Sequence, residues 1–366
     1  MQDTPDEEGI PIQIQFEFLN ANEEMELSQI YTVKIQPTDD FEANRFTMIN
    51  SCDFRTQEER IYYYMFDKVK KIFLPNNTNL LNLCKNNKVI IMENCKTFSE
   101  QICEKLREET ADYKKYKNET QGQEDLKKSQ SDSKKNEIRM IRYLESNFQV
   151  DLFAKEFISN NGIQYLDTII KYNSGNIRTY SLQGLSTLLD YQSAFDYFEK
   201  KREILFNLYN ILMSNDNLKS SKNAIDIMIK IIGKNVEKEP QKTMEKTMYI
   251  IDVAEKYAKK SHTKIYSQIV NFLSDTNKEV NLRNNSLIFI NMIMTFCHPS
   301  ILSRILIQLR DEGIFEFLEK SEKKHDEKFD ELIKNFIIKT EAVLTDSDYE
   351  VEIYKKRNRR NENSLL

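Results

Sequence analysis

Histidines, cysteines and carboxylates are the side chains that could carry chemistry in this 366-residue sequence, which has three His and five Cys. His262, His298 and His325 stand far apart, and no two cysteines show CxxC spacing. Cys297 and His298 are adjacent, so on a helix their side chains would diverge by about 100 degrees and could not form a nucleophile and base pair. The carboxylates lie among lysines at helical spacing, which is typical of exposed salt-bridged faces.

Motifs that would indicate catalysis are absent from the sequence. There is no glycine-rich phosphate loop, no nucleophile elbow and no HExxH pair. We therefore predict that the protein is not an enzyme and that it has no catalytic residues, no metal site and no cofactor of its own.

Charge and hydropathy exclude further classes. The formal net charge of −5 disfavours nucleic acid as a partner, because phosphate binding needs a concentrated basic surface. No window approaches the roughly 20 apolar residues of a membrane span, and the acidic N-terminus does not resemble a signal peptide. We expect a cytoplasmic protein with reduced thiols.

The elements that would position any binding residues change along the chain. Residues 10–18 and 30–35 alternate apolar and polar side chains, a strand pattern, but two short strands do not make a stable sheet alone. We interpret residues 1–55 as an irregular or short-stranded leader arm, with a small ubiquitin-like sheet as the alternative.

Residues 56–110 show a helical period. A capping box begins at Thr56, and apolar side chains then recur at three- and four-residue steps before Pro75. Ser99 is expected to cap a further helix. In the row of three tyrosines from Tyr62 to Tyr64, at least one ring must be exposed, either at the edge of a helix interface or as a partner contact. Residues 111–136 are polar and predict a flexible connector.

The sequence of residues 137–345 predicts one helix after another, and the first three form a group. Helices comparable to the third helix of that group recur at intervals of about 40 to 60 residues, the length class of armadillo and HEAT units. Each unit is too small to cover its own apolar face, so stacking must stabilise it. The predicted fold class is all-α: a small helical subdomain followed by an armadillo-type right-handed solenoid. Residues 346–366 form a basic polar tail.

Four stretches resemble diaphanous-type formins, in the same order. FDKVKKIFLP, LCKNNKVIIMENC and TFSEQICEKLRE, within residues 66–108, look like the helical GTPase-binding segment of that family. VDLFAKEFISNNGIQYLDTII (150–170) and LSTLLDYQSAFDYF (185–198) resemble its first two armadillo repeats. LIFINMIMTF and SRILIQLRDEGIFEFL (287–296 and 303–318) are similar to the closing repeat.

The resemblance implies a Rho-family small GTPase in its GTP state as the partner, with GTP and Mg²⁺ held by that partner. The implied GTPase contacts are Lys88, Ile91, Asp190, Tyr191 and Gln192. Asp190 and Tyr191 stand where formins favour Asn, so recognition of the GTPase would use different polar pairs.

The resemblance also implies a concave groove that receives an autoregulatory helix from the protein's own C-terminal region, lined by Ile227, Lys230, Asn291 and Met292. Met292 replaces a small residue of many relatives and could fill the groove, which puts self-inhibition in doubt. Actin would be reached only through regions beyond this sequence, and we expect a cytoskeleton-associated fragment of a longer formin.

A second function remains open on the sequence. An armadillo scaffold, such as an engulfment-type adaptor or a transport-type peptide binder, would bind peptides or helices on its concave face without a GTPase. Preference for the GTP-loaded state would separate the two.

Overall fold

A computed structural model describes residues 9–19, 25–36, 40–51, 60–76, 78, 89–116, 141–201, 203–214, 217–234, 236–274, 280–321 and 327–345. The chain divides into two compact units, Met1–Asp196 and Tyr197–Leu366. We refer to these as the N-terminal and C-terminal units.

The N-terminal unit begins with a mixed sheet. Its strands are β1 (Ile10–Leu19), β2 (Met25–Leu27), β3 (Tyr31–Ile35), β4 (Tyr63–Asp67), β5 (Ile72–Phe73) and β6 (Ile90–Asn94). The order is β2-β1-β6-β4-β5, with β3 also paired to β1. Strands β1 and β6 run parallel in the middle, and the other pairs are antiparallel. This is the ubiquitin-like arrangement that was the alternative for residues 1–55. The short strands predicted there are confirmed, and they pair into one sheet with strands from residues 63–94.

One face of the sheet forms a core with helix α1 (Phe41–Asn50). Alternate residues of the strands point to this face, including Ile14 and Met92, both fully buried, and they pack on Phe41, Met48 and Ile49 of the helix. Asp40 caps α1, because its carboxylate accepts a hydrogen bond from Ala43 N at 2.7 Å.

The helical prediction for residues 61–73 was wrong, because the structure places β4 and β5 there. The spacing of the apolar residues fits both a helical and a strand period. These residues form strands because β4 pairs with β6, which is distant in sequence. Val69, one of the apolar residues that fit the helical period, is 94% exposed in the turn between β4 and β5. The capping box at Thr56 lies outside the described residues.

Within the segment 56–110 that was predicted to be helical, residues 90–94 also form a strand, β6. The next helix, α2 (Cys95–Tyr116), begins earlier than predicted. Its first turn is capped by Asn94, whose side chain accepts from Lys96 N and Thr97 N, whereas Ser99 is fully buried inside the helix. The helix also takes in residues 111–116 of the predicted connector; residues 117–136 and the tail 346–366 lie outside the described residues.

Further helices of the described residues in the N-terminal unit are α3 (Leu144–Asn147), α4 (Asp151–Ser159), α5 (Gly162–Tyr172), α6 (Gly175–Leu188) and α7 (Gln192–Lys200), the last crossing into the C-terminal unit. Helix α2 packs on α4 and α5, and α3 packs on α6. At Gly162 a Cβ would lie 2.2 Å from the Phe157 ring, so the close approach of α4 and α5 requires glycine there.

The second face of the sheet packs on these helices through six phenylalanines, which we call the phenylalanine cluster. Its members are Phe66 and Phe73 of the sheet, Phe98 of α2, Phe148, and Phe153 and Phe157 of α4. Ring centroids are 4.9 Å apart for Phe66 and Phe98 and 5.6 Å apart for Phe73 and Phe153. The sheet and the first helices therefore share one core.

Asn147 makes the polar bond between these two parts. Its Oδ1 accepts from Phe73 N at 3.0 Å, and its Nδ2 donates to Lys71 O at 3.1 Å. Asn147 is 1% exposed, and Lys71 has a φ of +59°. The Asn147 side chain thus gives hydrogen-bond partners to backbone groups of the short edge strand β5 and of the residue before it, on the side where the sheet has no further strand.

The C-terminal unit consists of helices α8 (Glu203–Ser214), α9 (Leu218–Gly233), α10 (Pro240–Ser261), α11 (Ser267–Ser274), α12 (Val280–Phe296), α13 (Pro299–Asp311), α14 (Ile314–Ser321) and α15 (Glu327–Thr345). Helix α9 packs on both α8 and α12, and α11 packs on α12. From residue 141 to 345 the described residues contain no strand. The all-helical character predicted for this region is confirmed for the described residues.

We predict that Asn147→Ala lowers the free energy of unfolding by about 2 kcal/mol, because a buried N–H and a carbonyl lose their partners. Urea denaturation measures the change. Asn160→Ala is the matched control, since the Asn160 side chain donates only to Glu156 O of its own helix. Equal losses for the two variants would contradict a special role of Asn147.

Candidate protein-binding site

Three of the predicted GTPase contacts lie on the turn between α6 and α7. Asp190 and Gln192 are exposed, and Tyr191 is half-buried between them. Backbone bonds from Asp190 N to Thr187 O and from Tyr191 N to Leu188 O shape the turn. The turn therefore presents two polar side chains to solvent at the helix end where the sequence predicted them.

Tyr191 ties this turn to the phenylalanine cluster. Its hydroxyl donates to Phe148 O at 2.9 Å, across 43 residues of sequence. Burial, together with the nearby carboxylates of Asp151 and Asp190, raises the pKa of Tyr191 to about 12. The hydroxyl is thus a structural donor at neutral pH.

The charge around the turn is negative. Asp151 and Asp190 both act electrostatically on Tyr191, and Gln192 Nε2 donates to Asp196 Oδ1 at 2.8 Å. Lys155 pairs with Asp151 one helical turn away, with both side chains more than half exposed. Such a surface favours a partner that supplies hydrogen-bond donors or basic side chains.

Of the remaining two predicted GTPase contacts, Ile91 is a described residue of the sheet. Ile91 is in the central strand β6, half-buried, on the face that also carries Phe66. Lys88 lies outside the described residues. Ile91 and the turn belong to the same compact unit, although sequence reasoning had assigned them to a helical segment and a repeat joined by a flexible connector.

A further exposed surface was missed by sequence reasoning. Arg45 of α1 is 4% exposed; its Nη1 donates to Tyr63 O at 2.9 Å, and its guanidinium stacks 4.2 Å from the centroid of the Tyr64 ring. Beside it, Phe46 and Ile61 are each 45% exposed. The tyrosine row was the available signal: Tyr63 is buried, while Tyr62 and Tyr64 keep part of their surface in solvent.

The predicted groove residues lie on α9 and α12, which pack against each other. Ile227 is fully buried and Asn291 is 6% exposed. Lys230 and Met292 are half-buried, and the Met292 methyl group lies 3.4 Å from where a Cβ on Gly233 would stand. Packing within the C-terminal unit thus covers the side chains of Ile227 and Asn291, and a groove for an added helix stays a prediction.

Helix α15 covers Asn291. Asn291 Nδ2 donates to Leu332 O, and Lys339 Nζ donates to Asn291 O, both at 3.0 Å, and to Thr295 Oγ1. Burial lowers the pKa of Lys339. A helix of the chain itself thus covers Asn291, one of the four residues predicted to line the groove.

Metal sites and membrane-spanning helices concern the part of the chain that the structure describes. There, no three His, Cys, Asp or Glu side chains cluster so that they could hold a metal ion. Within the same residues, no helix combines the length and apolar character needed to cross a bilayer.

Comparison with known proteins points to formins. Residues 175–316 match the family model described as the FHOD1/3 FH3 domain. The chain is also 32% identical over 88 residues to Formin-G of Dictyostelium discoideum, a match that covers 24% of this chain and 8% of that relative. The chain thus corresponds to a small part of the relative's length. These two matches support similarity to formins as a family. Membership of the diaphanous-type subfamily stays a prediction.

Solved structures with a similar arrangement include Entamoeba histolytica Formin1 bound to EhRho1-GTPγS, with a TM-score of 0.45 and 14% identity over 72% of this chain and 80% of that one. A designed armadillo repeat protein gives a TM-score of 0.39 and 15% identity, covering 56% of this chain and 74% of its own.

We predict that Tyr191→Phe lowers the free energy of unfolding by about 1 kcal/mol, the usual net contribution of one hydrogen bond. The loss should shrink as the pH rises from about 10 towards 12, because the unfolded tyrosine ionises first and the wild-type protein loses stability there. Urea denaturation across this range measures it, with Tyr62→Phe as control. A pH-independent difference would contradict the assignment.

We predict that Asn291→Ala accelerates amide hydrogen exchange in α15 by about tenfold, because the helix loses its side-chain bond at Leu332 O. Mass spectrometry of peptides covering residues 327–345 measures the rates. Ser303→Ala, at an exposed position of α13, is the control and should leave them unchanged. Unchanged exchange in Asn291→Ala would show that apolar packing alone fixes α15.

Proposed function

We propose that this chain is part of the regulatory region of a formin and binds a Rho-family small GTPase in its GTP state, thereby controlling actin filament assembly by other parts of the protein. The FH3 match over residues 175–316 and the similarity to Formin-G support a formin. The GTPase itself is the partner that the sequence resemblance implies. On this proposal the protein acts in the cytoplasm, at the cytoskeleton, without catalysis of its own.

The observation that carries the proposal is the joining of the sheet to the turn at residues 190–192. The phenylalanine cluster packs Phe73 on Phe153, and Tyr191 donates to Phe148 O in the same cluster. A partner that contacts both places would meet a surface that is already ordered, which lowers the entropic cost of association.

Asp190 and Gln192 are the side chains that we assign to direct contact, because both are exposed and polar. Tyr191 is assigned to holding the turn, since its hydroxyl is already bonded to Phe148 O. Ile91 of β6 is retained as a contact, and so is Lys88, which lies outside the described residues. Recognition at the turn would then rest on donors or basic groups of the GTPase meeting Asp190 and Gln192.

Self-binding by a C-terminal helix is a separate part of the proposal. Of the four predicted groove residues, only Lys230 and Met292 keep surface that such a helix could reach. An autoregulatory helix would therefore contact α9 and α12 beside α15, or would have to displace α15.

We predict that the protein binds a Rho-family GTPase carrying a GTP analogue at least about tenfold more tightly than the GDP form, and that Asp190→Lys weakens this binding by about tenfold or more, equal to about 1.4 kcal/mol. Isothermal titration calorimetry against Rho-family GTPases loaded with each nucleotide measures both effects.

Glu145→Lys is the matched control, because Glu145 is an exposed acid of α3 in the same unit and the variant makes the same charge change. Circular dichroism checks that both variants stay folded. Equal affinity for the two nucleotide states, or equal weakening by the two variants, would contradict the proposal and favour the peptide-binding scaffold.

A further inference from the structure

Two glutamates face each other across the two middle strands of the sheet. Glu17 of β1 and Glu93 of β6 are register partners in the parallel pair. They are only 8% and 3% exposed. Leu27 of β2 is the next register neighbour on one side and Tyr64 of β4 on the other. Acids are rarely buried this deeply unless a partner compensates the charge or a proton neutralises it.

Lys68 is the cation that lies near the two carboxyl groups among the described residues. Lys68 Nζ lies 3.0 Å from Glu17 Oε1, and the lysine side chain is 47% exposed. The Glu93 side chain is in hydrogen-bonding contact with Glu17, while its Oε1 is buried without a hydrogen-bond partner. Among the described residues, Glu17 and Lys68 are the charged side chains that act on Glu93; Asp151 of α4 acts on the neighbouring Tyr64.

We propose that Glu93 carries a proton at neutral pH and donates it to the Glu17 carboxylate, so that this pair forms a pH-sensitive bond between the two central strands. The Glu17 carboxylate keeps its ion pair with Lys68. When the proton leaves, two adjacent buried carboxylates must share one lysine, and the contact between β1 and β6 becomes repulsive.

The electrostatic environment agrees with this geometry. Burial, the hydrogen bond from Glu93 to Glu17 and the Glu17 charge raise the pKa of Glu93 from 4.5 to about 9, while the Asn94 backbone and Lys68 oppose the shift. The folded state therefore holds a proton that the unfolded chain releases above its lower pKa. Stability should fall as the pH rises from about 4.5 to about 9, by about tenfold in the unfolding equilibrium constant per pH unit.

Glu93→Gln tests this, because the amide donates to Glu17 as the protonated acid does but cannot ionise. Urea denaturation from about pH 6 to about pH 8 should show the unfolding constant of the wild-type protein rising relative to that of Glu93→Gln by up to about 100-fold. Glu108→Gln, at an exposed acid of α2, should follow the wild-type pH dependence. A wild-type to Glu93→Gln ratio that does not change with pH would overturn the proposal.

Infrared spectroscopy gives a second readout that does not depend on the stability of a variant. The wild-type protein at neutral pH should show the carbonyl stretch of a protonated carboxylic acid, and this band should disappear on alkaline titration. It should be missing in Glu93→Gln and present in Glu108→Gln. Its absence from the folded wild-type protein at neutral pH would overturn the proposal, and neither measurement involves a GTPase.

Discussion

The packing of the sheet on the first helices through the phenylalanine cluster is the interaction on which the N-terminal unit depends. A sheet with strands as short as β2 and β5 has little pairing of its own, so both of its faces must be covered. Helix α1 covers one face, and Phe66 and Phe73 bury the other against Phe98 and Phe153. Asn147 makes this apolar contact directional, because its hydrogen bonds to Phe73 N and Lys71 O fix the position of α3 relative to β5. The sheet is therefore part of the same folding unit as the first helical repeat.

The same constraint reaches the proposed binding surface. The ring centroids of Phe148 and Phe157 are 4.9 Å apart, and the Phe148 carbonyl accepts a hydrogen bond from the Tyr191 hydroxyl. The position of the turn at residues 190–192 is therefore fixed by the phenylalanine cluster. The acid pair in the middle of the sheet lies in the same unit. A change that loosens the two central strands would weaken one side of the cluster, since Phe66 in β4 pairs directly with Ile91 in β6. Binding surface, cluster and acid pair are thus parts of one cooperative structure.

The helices beyond residue 141 could be predicted from sequence because their apolar spacing reflects contacts within each helix and its neighbours. The strands between residues 61 and 94 could not, because Tyr64, Met65, Ile72 and Phe73 satisfy a helical period as well as an alternating one, and only pairing with β1 and β6 decides. The turn carrying Asp190 and Gln192 was correctly placed at a helix end. The bond from Tyr191 to Phe148 O spans 43 residues, and no local pattern encodes it. For the same reason, the cover that α15 gives Asn291 could not be foreseen.

That cover also decides what self-binding would require. Helix α15 buries Phe329 and Phe336 completely, so it belongs to the core of the C-terminal unit. Displacing it would expose two aromatic side chains, at a cost of about 1.5 to 3 kcal/mol each, and would leave Asn291 without its partner at Leu332 O. Lys339 adds a further cost, because a partly buried lysine would have to give up the acceptors that compensate its desolvation. An incoming helix that only matched the apolar surface of α15 would not replace these polar contacts. Contact at the remaining surface of Lys230 and Met292 is therefore energetically easier than exchange with α15.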